Sequence, residues 1–190
     1  CLFDANYVHF GFEESEKTCL YKVYVEFWDS IREEIRSSKN PSRPFLLHLG
    51  FKWDAFDNDR KAVTRYTWHP WLSVADILAR LDAVFDPVTH GIALETAREV
   101  VNMAAERISH QDILYIEVAE DDNPRRSFDI NAYRAGLQVG ELYPLLARLG
   151  RHYALSHSEF HDFYDPIKTK RFGHLSGGAS REGADFCTIY

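Results

Sequence analysis

Four stretches of this sequence share one pattern, in which a polar cluster separates two runs rich in β-branched and aromatic residues. They cover roughly residues 7–27, 45–69, 113–133 and 173–190, with polar clusters at 13–17, 54–60, 120–124 and 180–183. A turn-forming cluster between two such runs predicts a β-hairpin. We therefore predict four antiparallel hairpins, which repeat in architecture but not in residue identity.

The segments between the hairpins predict helices. Ser73 precedes Asp76, and Ser156 precedes Glu159, by the three residues that a capping box requires. Apolar residues at helical spacing follow the first box and also occupy residues 93–108 and 142–149. The second box opens a short helix that ends at Asp165-Pro166, and another short helix is predicted over 28–36. The predicted fold class is therefore α+β, with repeated antiparallel hairpins separated by helices.

Length and composition fit one globular domain. The chain has 190 residues, of which 45% are hydrophobic and 27% are charged. We predict a single domain over residues 1–190. Because the chain starts at Cys1 and stops inside the apolar run 186–190, we expect it to be part of a longer polypeptide truncated at both ends.

Charge and cysteine content exclude several classes of partner. There are 29 acidic and 22 basic side chains, a net charge of −7, whereas a general nucleic-acid binder needs a basic surface. No apolar stretch approaches the roughly 20 residues of a membrane-spanning helix. The three cysteines are an odd number, which favours a reducing compartment, the cytoplasm, over a secreted disulfide framework.

Alternation along the predicted strands divides each strand into two faces. The apolar face is expected to contact the helices and carries Val23, Val25, Leu114, Ile116, Phe128 and Ile130. The polar face is expected to point away from the helices and carries Lys22, Tyr24, Tyr115, Asp129 and Asn131. An open sheet with water on its polar side gives the same alternation. The repeated tyrosines favour a lined cavity instead, as in a closed barrel with a polar lumen and an outer layer of helices.

Two tripeptides add to this architecture, Lys22-Val23-Tyr24 and Thr188-Ile189-Tyr190. With the repeated hairpins they resemble the aromatic prenyltransferases of the αββα type (the ABBA or PT-barrel superfamily), in which Lys-x-Tyr pairs on strands line the lumen. That family usually has five repeats, one more than the four hairpins here. The resemblance implies transfer of a prenyl group from an allylic diphosphate to an aromatic acceptor. Mg²⁺ could accompany the diphosphate, and no other cofactor is expected.

The resemblance and the predicted faces together give a set of candidate site residues. Cations are expected to bind the diphosphate, tyrosine rings to shield an allylic cation, and a carboxylate to assist removal of a proton from the acceptor. The candidates are Lys22, Lys52 and Arg65 for the diphosphate, Tyr24, Tyr115, Tyr133 and Tyr190 for the shield, and Glu26 and Glu117 for the proton.

Two other functions stay open at this point. The same cavity could belong to a noncatalytic protein that binds an aromatic or other hydrophobic small molecule, and an open sheet could belong to an interaction subunit. His157 and His161 lie four residues apart on a predicted helix, which is a spacing that metal ligands use. No further ligand motif accompanies them, so we predict a helix surface and no metal site.

Overall fold

The computed structural model describes residues 5–14, 19–37, 43–57, 59–85, 91–121, 123, 126–180 and 183–190. Its strands are β1 (Tyr7–Glu14), β2 (Cys19–Glu26), β3 (Phe45–Asp54), β4 (Lys61–Trp68), β5 (Leu114–Glu120), β6 (Arg126–Asn131), β7 (His174–Ala179) and β8 (Asp185–Ile189). Its α-helices are α1 (Trp28–Ser37), α2 (Val74–Val84), α3 (Gly91–Ala105), α4 (Tyr143–His152) and α5 (His157–Ile167).

The eight strands follow chain order in one antiparallel sheet, β1 to β8. The α+β class and the repeated hairpins separated by helices are thus confirmed. Parts of the predicted turns, at residues 15–17, 58, 122, 124 and 181–182, lie outside the described residues. In the part of the chain that is described, no helix is both long and apolar enough to cross a membrane.

The chain divides into two compact units. Unit 1 is Cys1–Pro70 with Ile116–Arg126, and unit 2 is Trp71–Tyr115 with Ser127–Tyr190. The prediction that residues 1–190 form a single domain of a longer polypeptide stays a prediction.

Unit 1 is built from β1 to β4, helix α1 and most of β5, each strand antiparallel to the next. A bulge interrupts the pairing of β3 with β4 between Leu46 and His48. Helix α1 buries Ile31, and at its start the Trp28 ring lies 5.3 Å from the ring of Trp68. This aromatic contact joins the helix to the end of β4.

Unit 2 contains the main hydrophobic core. Strands β6, β7 and β8 pair in antiparallel register, and α2 to α5 contribute half of the buried side chains of the core. Phe128 and Ile130 of β6 are fully buried there, and the Phe128 ring lies 5.6 Å from the ring of Phe85, which follows α2. Phe128 and Ile130 thus lie in one core cluster with side chains of the helices, on the helix side as predicted.

Local sequence signals indicate where three of the helices begin. Ser73 caps α2 through a capping box with Asp76, and Ser156 caps α5 in the same way with Glu159. Pro144 occupies the first turn of α4, where its missing N–H breaks no helical hydrogen bond. These helices therefore begin at the residues that the sequence indicates.

The predicted faces of β5 are wrong by one residue. Tyr115 is fully buried in the core of unit 2 instead of pointing away from the helices. In unit 1, β5 pairs Val118 with Tyr66 and Glu117 with Thr67, so Val118 lies on the polar face and Glu117 on the other. Both faces of β5 carry large side chains. The sequence interpretation counted Tyr115 as polar, but burial of its ring determines which side chains of β5 lie on which face.

Candidate functional site in unit 1

One face of the unit 1 sheet collects polar and aromatic side chains from neighbouring strands. Directly paired residues of antiparallel strands project to the same face. The register pairs Lys22 with Lys52 and Glu26 with His48 across β2 and β3, and β4 continues the same face. We call it the Lys22 face, formed by Lys22, Tyr24, Glu26, His48, Gly50, Lys52, Thr64 and Tyr66.

Cations form one end of the Lys22 face. The Lys22 ammonium lies 2.5 Å from a carboxylate oxygen of Glu13 on β1. That hydrogen bond lowers the pKa of Glu13, with a further contribution from the charge of Lys52. Like charges directly opposite each other on a sheet are destabilising. The Glu13 carboxylate therefore offsets part of the repulsion between Lys22 and Lys52 at this end of the face.

Tyrosine rings form the middle of the Lys22 face, on either side of a glycine. The Tyr24 and Tyr66 ring centroids are 5.9 Å apart with an edge-to-face angle of 70°. A Cβ atom at Gly50 would lie 3.2 Å from the Tyr24 ring and 3.4 Å from the Tyr66 ring. A side chain at this position would therefore require the neighbouring rings to shift by a few tenths of an ångström. The rings offer aromatic surface next to the two lysines.

A carboxylate and an imidazole form the other end of the Lys22 face. The Glu26 Oε2 atom lies 3.0 Å from Nε2 of His48 and 3.7 Å from Nε2 of His9. The Tyr66 ring meets the His48 ring edge to face, with centroids 5.9 Å apart. This pair can accept a proton, because it combines a carboxylate with an imidazole held in a fixed orientation.

Strand geometry sets the spacing of these groups. At a rise of roughly 3.3 Å per residue, the backbone positions of Lys22 and Tyr24 are about 7 Å apart, and those of Lys22 and Glu26 about 13 Å apart. The Lys22 face thus presents cations, aromatic rings and a proton acceptor in that order along β2. A ligand with an anionic group and an extended apolar part matches this order.

Four of the predicted site residues lie together on the Lys22 face, namely Lys22, Tyr24, Glu26 and Lys52. Arg65 does not join them, because it pairs with Leu49 on the opposite face and binds Asp121. Glu117 also lies on that opposite face, because it pairs with Thr67 of β4. Its Oε2 atom lies 3.1 Å from Nε2 of the buried His69.

The other predicted tyrosines belong to unit 2, where Tyr133 and Tyr190 both contact the His174 ring and Tyr115 lies elsewhere. Tyr115 is buried in the core. Tyr133 is about half exposed and begins a short 3₁₀ helix, Tyr133–Ala135, beyond the end of β6. Tyr190 follows β8 and stacks on the His174 ring with centroids 4.1 Å apart.

Unit 2 carries its own carboxylate–imidazole pair. The Nδ1 atom of His174 lies 2.7 Å from Oδ2 of Asp129, and both side chains are mostly buried. Elsewhere in unit 2, the His157 and His161 rings are 4.3 Å apart, and His161 contacts Asp165 on its own helix. Over the described ranges no cluster of three or more His, Cys, Asp or Glu side chains could hold a metal ion.

Sequence reasoning gave no role to several residues of the Lys22 face. The alternation of β3 placed His48 there, but its contact with Glu26 depends on the register between strands. Tyr66 and Thr64 reach the Lys22 face because of the β3–β4 pairing. Thr64 is 2% exposed, and its hydroxyl has no hydrogen-bond partner in the described part of the chain. No local signal in the sequence gives these pairings.

Comparisons with known proteins identify no relative. No protein-family model, no curated protein and no solved structure matches this chain.

Proposed function

We propose that this protein transfers a prenyl group from an allylic diphosphate to an aromatic acceptor, as its resemblance to the αββα prenyltransferases implies. The observation that carries the proposal is the order of groups on the Lys22 face. Lys22 and Lys52 lie opposite each other, Tyr24 and Tyr66 lie next to them, and the Glu26 carboxylate follows.

Each group has a chemical part in the proposed reaction. Lys22 and Lys52 bind the diphosphate through charge-assisted hydrogen bonds and stabilise it as it leaves. The π faces of Tyr24 and Tyr66 stabilise the allylic cation that remains. The acceptor ring attacks that cation, and Glu26, in contact with His48, takes the proton that the ring loses.

Closure of the sheet into a barrel is part of the proposal. A lumen that excludes water strengthens the contacts of the cation with its shield and prevents its hydrolysis. The polar and aromatic composition of the Lys22 face supports an enclosed ligand over bulk water. The odd number of cysteines supports a reducing compartment, the cytoplasm, as the place of the reaction.

The experiment is isothermal titration calorimetry of the protein with the unreactive thiolo analogues of dimethylallyl and geranyl diphosphate. We expect binding of both analogues and much weaker binding of geraniol, which lacks the anionic group. Incubation with geranyl diphosphate and a panel of indoles, phenols and naphthalenediols should then give prenylated products detectable by mass spectrometry.

The results separate the competing functions. Absence of analogue binding would defeat the prenyltransferase proposal. Binding of aromatic compounds without any prenylated product, across the panel, would favour the noncatalytic binding protein.

A further inference from the structure

A pocket in unit 2 lies between helices α4 and α5 and strand β8. It has a volume of about 210 Å³. Apart from the hydroxyls of Tyr153 and Tyr164 and the Cys187 thiol, the side chains that line it are aliphatic and aromatic. We call it the apolar pocket, and its lining includes Leu149, Leu155, Phe160, Phe163, Ile167 and Ile189.

The rim of the apolar pocket leaves large apolar groups in water. Phe163 is 71% exposed, and Ile167 and Leu155 are about 40% exposed. A ligand that covered them would gain roughly 25 cal/mol for each Å² of apolar surface removed from water. Near Gly150 the two helices already pack closely, because the Phe160 ring occupies the place where a side chain at residue 150 would lie.

A second pocket, of about 160 Å³, adjoins the apolar pocket and shares Gly150, Leu155 and Phe160 with it. We call it the basic pocket, because Arg151, His157 and His161 line it. Among the described residues the Arg151 side chain makes no ion pair.

Two carboxylates of α5, those of Glu159 and Asp165, already have partners. Glu159 accepts a hydrogen bond from the Ser156 hydroxyl. Asp165 contacts His161 and Lys168. The guanidinium of Arg151 is thus available to an anion beside an apolar cavity.

We propose that the two pockets form one binding site for a linear amphiphile with an anionic head group, of the medium-chain carboxylate class. The tail occupies the apolar pocket, and the head group binds Arg151 and His157 in the basic pocket. The apolar volume equals about seven water volumes of roughly 30 Å³ each. That size fits a chain of about eight to ten carbon atoms and excludes a sterol.

The test is calorimetric titration of the protein with sodium decanoate below its micelle concentration, with decanol and butyrate as comparison ligands. We expect decanoate to bind more tightly than either. Butyrate lacks the tail and decanol lacks the charge. Decanoate binding should be unchanged by Lys22→Ala, which separates this site from the Lys22 face.

Two variants with matched controls locate the ligand. Leu155→Trp should abolish decanoate binding by filling the space between the pockets. Leu46→Trp, at a leucine of similar exposure in unit 1, should leave it intact. Arg151→Gln should weaken decanoate binding about two- to fivefold, as expected for an exposed ion pair, and leave decanol binding unchanged. Arg171→Gln should have no effect.

Several outcomes would overturn the proposal. They are absence of decanoate binding to the parent protein, binding that survives Leu155→Trp, and equal affinity for decanoate and decanol. A further outcome that would overturn the proposal comes from sedimentation velocity. A dimer that Leu155→Trp dissociates would show that a second copy of the chain covers the apolar pocket.

Discussion

Lys22 and Lys52 lie directly opposite each other on strands β2 and β3, with their side chains on the same face of the sheet. A pair of like charges in this position costs stability unless an anion lies between them. Glu13 compensates Lys22 through a 2.5 Å contact. The charge of Lys52 also lowers the pKa of the Glu13 carboxyl, so this one carboxylate acts on both lysines.

The first prediction concerns this lysine pair. Lys22→Ala and Lys52→Ala should each weaken binding of geranyl thiolodiphosphate by roughly 1.5–3 kcal/mol, because each removes a charge-assisted hydrogen bond. Calorimetry measures the change. Lys61→Ala is the control, since Lys61 pairs with Trp53 on the opposite face. Equal losses of affinity in all three variants would indicate general charge attraction and would reject the Lys22 face as the diphosphate site.

The second prediction concerns the aromatic shield. Tyr24→Phe keeps the π face that stabilises an allylic cation, so the rate of prenyl transfer should change little. Tyr24→Ala removes the ring and should lower the rate more than it weakens binding of the unreactive analogue. Single-turnover kinetics with geranyl diphosphate measures the rate. Equal losses of rate from Tyr24→Phe and Tyr24→Ala would assign the role to the hydroxyl group, because both variants lack it.

The third prediction concerns Gly50. Gly50→Ala places a Cβ atom 3.2 Å from the Tyr24 ring, so the ring must move away from the sheet. We expect a loss of roughly 1–3 kcal/mol in the free energy of unfolding, measured by urea denaturation. Gly11→Ala is the matched control on the same face, because its Cβ atom would meet only the Lys22 Cβ atom at 3.8 Å. Identical stabilities for the two variants would contradict the observed ring positions.

The fourth prediction concerns the core of unit 2. Phe128 is 1% exposed, so Phe128→Ala should lower the free energy of unfolding by roughly 3–5 kcal/mol through lost burial and a residual cavity. Phe56 is 84% exposed, and Phe56→Ala should change stability by less than about 0.5 kcal/mol. Urea denaturation of both variants tests the contrast. A small effect at Phe128 would mean that β6 does not pack on the helices.

The fifth prediction concerns pH. Burial, with a contribution from the Asp185 carboxylate, raises the pKa of Cys187 from 9.0 to about 12. At pH 8 its thiolate fraction is therefore about a thousandfold below that of an ordinary thiol. Alkylation by iodoacetamide, followed by mass spectrometry, should be slow in the folded protein and fast in urea. Equal rates in the two states would show that the Cys187 thiol is not protected.

The same shift affects stability at high pH. The unfolded thiol loses its proton above about pH 9, and the folded one only near pH 12. The free energy of unfolding should therefore fall as the pH rises between these values. Cys187→Ser should remove this part of the pH dependence, as measured by urea denaturation at several alkaline pH values.

Local patterns in the sequence determined the elements of this protein. Hairpins follow from turn clusters between β-branched and aromatic runs, and the starts of α2 and α5 follow from Ser73 and Ser156. These signals act over a few residues, so no tertiary contact is needed to predict them. Alternation along β2 and β3 likewise placed Lys22, Tyr24, Glu26 and Lys52 on one face, as the pairing register shows.

Tertiary structure decided which strands share a face and which rings meet. Arg65 and Glu117 lie opposite the Lys22 face because the pairings of β4 and β5 set their phase. Tyr115 is buried because a hydrophobic core accepts an aromatic ring, although the sequence interpretation counted it as polar. The contact of Glu26 with His48 joins residues 22 positions apart. Register is a property of strand pairs, so a single strand's sequence does not contain it.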